Sequence, residues 1–234
     1  MSPLSCRFSD RIASLPGISL IDYPGRVAAL AFFQGCNFRC PYCHNRSLLK
    51  MGKGERDEDV MDRLSKMRGL ADALVITGGE PTWGKGLLPF IKMVRDMGYR
   101  VKLDTNGSNP DLLEKLLEEG EAEYIAMDLK HTPERYQEAC GTSVDLTKIR
   151  RSVDLIMKMA PVYEFRTTLV PGLHTAEDVS GIIRSFSMNK SRRYFLQKYI
   201  PREGTIFPAW SRKGWEEITA PFRPLHNIEI REEL

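Results

Sequence analysis

The chain has 234 residues, 42% of them apolar and 28% charged, enough to bury the core of one globular domain. Its 34 Lys and Arg against 31 Asp and Glu leave a formal net charge of +3, too weak a field to steer a nucleic acid or an anionic membrane to the protein. No apolar run reaches the roughly eighteen residues of a membrane span, and Met1 to Asp10 lacks the apolar centre of a secretory signal. A cytoplasmic protein with no membrane or nucleic-acid partner is therefore expected.

Ile18 to Phe33 reads as a hairpin, because Pro24-Gly25 suits a type II turn and Val27 to Phe33 is an apolar run that serves as the first strand. Val60, Met61, Leu64 and Met67 then fall at helical spacing, followed by a second strand at Ala73 to Ile76. The alternation repeats with a helix over Leu87 to Met97 stopped by Gly98, and a strand over Arg100 to Leu103. Next comes a helix capped by Asn109, opened by Pro110 and ended by Gly120. Tyr124 to Met127 is the fourth strand, Leu146 to Met159 a helix, and Tyr163 to Val170 the fifth strand. Thr175 and Asp178 open another helix, and Tyr194 to Tyr199 is the sixth strand. After Pro201 the pattern weakens, and Trp210, Trp215 and Phe222 are expected to cover the bottom or edge of the sheet.

Strands alternating with helices make an α/β fold with right-handed crossovers and a parallel sheet. A closed eight-unit barrel takes roughly 250 residues, so six units leave an open, partial barrel or a doubly wound sheet. One domain is expected, with a core over roughly 16–201 and an extension over 202–234 packed on it. The strands end at the cysteine loop, Thr77-Gly78-Gly79-Glu80, Asp104-Thr105-Asn106-Gly107, Asp128-Leu129-Lys130, Val170-Pro171-Gly172 and Gln197-Lys198-Tyr199. Ligands of parallel sheets and barrels bind at the carboxyl ends of the strands, so these segments would ring one site.

Three of the five cysteines, Cys36, Cys40 and Cys43, crowd into one short loop. That odd count and close spacing fit a metal centre in a reducing compartment better than a disulfide framework. Thiolates suit zinc or an iron-sulfur cluster, and both usually take four ligands. A site with three leaves an open position for chemistry, unless His44, His131 or a distant cysteine completes a zinc site. Cys6 and Cys140 read as small buried hydrophobes.

The CxxxCxxC pattern with Tyr42 before its last cysteine resembles the signature of radical S-adenosylmethionine enzymes, and the element order from about Pro16 to Pro201 resembles their partial (β/α)6 TIM-like barrel. The resemblance implies a 4Fe-4S cluster on Cys36, Cys40 and Cys43 whose fourth iron is chelated by the amino and carboxylate groups of S-adenosylmethionine. It places Tyr42 near the adenine and makes Gly78-Gly79-Glu80 the segment whose backbone meets the methionine amino group. Glycine there would let the backbone approach a ligand closely.

Gly17 to Asp22, Tyr23-Pro24-Gly25 and Cys43-His44-Asn45 narrow the likeness to the activating enzymes of glycyl-radical proteins, most closely those of anaerobic ribonucleoside-triphosphate reductases. By that resemblance His44, Asp104, Asp128, Lys130 and Arg166 join the cofactor site, and Asp104, Thr105, Met127 and Asp128 match positions that can hold a monovalent cation. The alternative for Asp128 and Lys130 is an exposed ion pair at a strand end. The partners implied are a glycyl-radical enzyme and a reductant such as flavodoxin or ferredoxin. Gln197-Lys198-Tyr199 stands where activases of pyruvate formate-lyase carry a cofactor-binding histidine, which argues against that partner. Most of the length is taken up by the barrel, favouring a large partner over a small substrate. The rival readings are a radical enzyme acting on a small heterocycle such as a deazaguanine precursor, and a non-catalytic metal or electron-transfer protein.

Overall fold

The computed structural model describes residues 8–232, so Cys6 lies outside the described residues. Two short strands, β1 (Ile12–Ser14) and β2 (Ile18–Ser19), both pair antiparallel with β3 (Ala28–Phe33). The second pairing is the hairpin expected from the Pro24-Gly25 turn, where Gly25 has φ +77°. From β3 onward every pairing is parallel, through β4 (Ala73–Gly78), β5 (Arg100–Thr105), β6 (Tyr124–Asp128), β7 (Val162–Leu169), β8 (Tyr194–Lys198) and β9 (Ile228–Arg231).

The crossovers carry α1 (Asp57–Met67), α2 (Leu87–Asp96), α3 (Pro110–Glu118), the short α4 (Tyr136–Cys140) with α5 (Leu146–Met159), α6 (Ala176–Ser185) and α7 (Arg212–Thr219). Each parallel strand lies beside its neighbour in sequence. A doubly wound sheet reverses its order at a switch point. This sheet never does, which leaves the barrel, and its end strands β1 and β9 do not pair, so the barrel is open.

Local chemistry sets these elements. Asn109 accepts a hydrogen bond from the Leu112 amide, and Pro110 occupies the first turn of α3, where its missing N–H costs nothing. Thr175 and Asp178 form a reciprocal capping box at α6. Ala73, Leu74, Val75 and Ile76 are all fully buried, as a strand covered on both faces requires. Leu74 and Ile76 pack toward the helices, whereas Ala73 and Val75 meet Ala28, Tyr23 and Tyr124 in a separate cluster. Tyr23 stands edge-on to Tyr124 with ring centroids 5.6 Å apart, closing that cluster from the hairpin side.

The segment after Pro201 holds more regular structure than its pattern suggests. α7 buries Trp215 and Ile218, Phe222 is buried just beyond it, and β9 adds a seventh parallel strand beside β8. Trp210 is half-buried, and its indole N–H donates to the Leu169 carbonyl at 2.7 Å. No helix among the described residues is long and apolar enough to cross a membrane.

Candidate active site

Thr77, Asp104, Asp128, Arg166 and Thr168 at the carboxyl ends of β4 to β7 share one cavity with the loop after β3, as do Cys36, Cys40, Tyr42, Cys43 and His44. Gly78, Gly79, Glu80, Thr105 and Lys130 line it as well. The structure therefore brings together the cysteines and the residues expected to bind the cofactor, but of the expected cation ligands Met127 is absent, and the Val170-Pro171-Gly172 strand end does not line the cavity. The Met127 side chain is fully buried and packs against Gly107, away from the cavity. Gln197, Lys198 and Tyr199 do not line it either.

The cysteine loop is held by backbone pairing with the loop after β4. The Gly79 amide donates to the Phe33 carbonyl at 2.7 Å and the Glu80 amide to the Gly35 carbonyl at 2.9 Å. The glycines answer to this approach. A Cβ at Gly78, which has φ +111°, would lie 2.5 Å from the Phe33 oxygen, and one at Gly79 would lie 2.3 Å from the Gly35 oxygen. The protein's own backbone thus already demands glycine at both positions, which also line the cavity.

Glu80 lines the cavity, but its side chain is turned inward and is 1% exposed. Its carboxylate accepts from the Thr82 amide at 3.0 Å, the Thr82 hydroxyl at 2.6 Å, the Thr105 hydroxyl at 2.7 Å and the Asn106 amide at 2.6 Å. It is a clamp between the ends of β4 and β5. Burial raises its pKa against the pull of those donors.

Burial pushes the Cys36 thiol up to about 11 and raises Cys43 as well. Cys40 is lowered to about 7, chiefly by a side-chain hydrogen bond with Cys140. Cys140 is buried, as a small hydrophobe would be, but it is not isolated. Its carbonyl accepts from the Arg39 amide at 2.7 Å, which ties α4 to the cysteine loop. It does not line the cavity. The donor set fits a cluster: three buried or half-buried soft thiols surround one cavity. Among the described residues no three His, Cys, Asp or Glu side chains converge to hold a single ion. The fit extends to His44, which lines the cavity with its Nε2 buried and without a hydrogen-bond partner.

The opposite wall is ionic. Asp128 accepts from Arg166 Nε at 2.8 Å and from Lys130 Nζ at 2.9 Å, while Asp104 accepts from Lys102 Nζ at 2.6 Å, Arg166 Nη1 at 3.3 Å and Thr77 at 3.2 Å. The Arg166, Lys130 and Asp128 side chains are 13%, 16% and 31% exposed, which removes the alternative of an exposed surface pair for Asp128 and Lys130. Burial works to raise the Asp128 pKa, yet Arg166 and Lys130 outweigh it and hold the carboxyl far below its usual range. Lys102 and Glu164 had escaped notice. The available signal was alternation: Lys102 and Asp104, like Glu164 and Arg166, occupy every second position of their strands, with apolar Leu103 and Phe165 between them.

A second unanticipated pair lies behind Lys130. His174 accepts from the Val170 amide at Nδ1 (3.1 Å), so its proton sits on Nε2 and is donated to the Lys130 carbonyl at 2.9 Å. His131 stacks on it with centroids 4.8 Å apart. Together they join the Val170-Pro171-Gly172 loop to the end of β6.

Burial lowers the His174 pKa from 6.5 to about 4, so the folded protein binds fewer protons than the unfolded chain between those values. Its contribution is intact above pH 6.5 and is lost as the pH falls toward 4, by about 3 kcal/mol. Denaturant unfolding at pH 7 and pH 4.5 should therefore show a smaller acid loss for His174→Gln than for the parent. An identical loss in both would remove His174 as the source.

Comparison with known proteins matches residues 30–185 to the family described as the radical SAM superfamily. A Methanocaldococcus jannaschii protein, grouped by name with the glycyl-radical enzyme activating enzymes, is 32% identical over 198 residues, covering 82% of this chain and 81% of that one. The 7-carboxy-7-deazaguanine synthase of Methanopyrus kandleri is 28% identical over 183 residues, 65% of this chain and 70% of the other. The solved structure of anSMEcpe with bound AdoMet superposes with a TM-score of 0.64 at 18% identity, over 85% of this chain and 61% of that longer one.

Proposed function

The chain belongs to the radical SAM superfamily, and from that premise we propose that it is a glycyl-radical enzyme activating enzyme whose partner is an anaerobic ribonucleoside-triphosphate reductase. The observation that carries the reading is the single cavity in which three thiols face a buried cationic wall at the carboxyl ends of a parallel sheet. In this reading Cys36, Cys40 and Cys43 hold a 4Fe-4S cluster with one iron left for S-adenosylmethionine. When bound, the cluster supplies the electron that cleaves the sulfonium to methionine and a 5'-deoxyadenosyl radical.

The chain's own groups bind and orient the cofactor. Lys130 and Arg166 present cationic N–H donors to an amino-acid carboxylate, and the half-buried backbone of Gly78 and Gly79 lines the cavity where its amino group would lie. Tyr42, buried beside the thiols, offers an apolar ring for the adenine. The open barrel leaves a side by which a glycine-bearing loop of a protein partner could enter, with the partner's surface excluding water. The reductant proposed is a flavodoxin or ferredoxin.

Strong similarity over most of both chains to a glycyl-radical enzyme activating homologue favours this reading over a small-heterocycle enzyme. The test is anaerobic mixing of reduced protein, S-adenosylmethionine and candidate glycyl-radical enzymes, followed by electron resonance. The reductase should gain the glycyl-radical doublet. If no candidate gains it, while a deazaguanine precursor is turned over with matching 5'-deoxyadenosine, the activase reading fails.

A further inference from the structure

The activase resemblance implies a monovalent cation among Asp104, Thr105, Met127 and Asp128, but the chain fills that role from within. All four oxygens of the two carboxylates carry donors from Lys102, Arg166 and Lys130. Thr105 spends its hydroxyl on Glu80, and the Met127 side chain packs elsewhere. Lys102 is the unexpected member. It shares a face of β5 with Asp104, its side chain is 3% exposed, and its ammonium lies 2.6 Å from Asp104 Oδ1 and 5.4 Å from the centre of the Tyr124 ring.

The sum of charge points the same way. Three cations face two carboxylates at the wall. Beneath them Glu164, 1% exposed, lies 3.8 Å from Arg166 and 3.1 Å from Arg231, adding one charge of each sign. The buried network therefore holds a single surplus positive charge, which the carboxylate of an amino-acid moiety would neutralise. A metal cation added there would leave that charge uncompensated in a poorly hydrated site.

We infer that the Lys102 ammonium takes the place of the monovalent cation, so that S-adenosylmethionine binds this protein without potassium or sodium. The inference rests on reading the cavity as the site of that cofactor. The role of Lys102 is to position: it offsets the charge of Asp104, so that the surplus positive charge of the wall falls on Arg166 and Lys130, which line the cavity.

The experiment is calorimetric titration of the cluster-reconstituted protein with S-adenosylmethionine in potassium, sodium and tetramethylammonium chloride at equal ionic strength. The parent protein should bind equally, within about twofold, in all three salts, whereas Lys102→Ala should bind about tenfold more weakly in tetramethylammonium and recover in potassium or sodium. Lys102→Met fills the space without a charge, so it should be weakened in every salt and not recover. Thermal melts of both variants monitor folding, and the comparison of salts on the parent stands without them. A parent that binds well in potassium and more than about fivefold worse in tetramethylammonium overturns the inference alone. So does a folded Lys102→Ala of unchanged affinity, or one that no metal cation restores. A parent that binds in no salt overturns the cofactor site as well.

Discussion

Alanine at any one of Cys36, Cys40 or Cys43 is expected to reduce bound iron from about four atoms per chain to near zero after anaerobic reconstitution, with loss of S-adenosylmethionine cleavage. Each thiol lines the same cavity, and among the described residues no other cysteine lines it. Cys140→Ala should keep its iron, because Cys140 touches Cys40 from behind and does not reach the cavity. Cys6→Ala should keep its iron too. Iron analysis with low-temperature electron resonance on the five variants decides the matter. Iron loss in Cys140→Ala or Cys6→Ala would reveal a fourth protein ligand and remove the open iron on which the proposed mechanism depends.

The second large effect is expected at the ionic wall. Asp128→Ala leaves the Arg166 and Lys130 charges facing each other, mostly buried, with one counter-ion fewer, and should cost about 3 kcal/mol of stability. Lys130→Ala and Arg166→Ala should each weaken S-adenosylmethionine binding by about tenfold or more. Arg166→Lys should not restore it, because a single ammonium cannot replace a planar guanidinium that bonds Asp104 and Asp128 at once. Melting temperature and cofactor affinity must be measured on the same preparations. Lost stability with unchanged affinity in the Lys130 and Arg166 variants would make the wall a structural network only.

Much of this was legible because local chemistry and period coincide. The six strands from Val27 to Tyr199 and the caps at Asn109 and Thr175 could be read where they stand, since each is written within a short window. Strand polarity foretold the shared cavity for the ends of β3 to β6, although Val170-Pro171-Gly172 and Gln197-Lys198-Tyr199 do not line it. Three things could not be read. β9 is a short strand, Ile228–Arg231, that takes its identity from pairing with β8 and not from its own composition. The inward turn of the Glu80 carboxylate depends on Thr105 and Asn106, which a distant strand end supplies. The contact between Cys40 and Cys140 joins segments that no spacing rule relates. Lys102 was visible in the sequence as a charge between Val101 and Leu103, but only the fold shows which carboxylate it meets.

The unbroken strand order also governs how the chain is put together as it leaves the ribosome. Every parallel strand after β3 pairs with the one synthesised just before it, so the sheet can grow by addition to its newest edge without waiting for distant sequence. The Gly79 and Glu80 amides can brace the thiol loop once β4 has emerged, whereas its contacts with Asn106, Ser108 and the Cys140 carbonyl wait for β5 and α4. Asp104, Asp128 and Arg166 arrive strand by strand afterwards, and Arg231 comes last, sliding in beneath Glu164 when β9 closes over β8. The groups that would grip the cofactor are thus among the last parts of the cavity wall to be made.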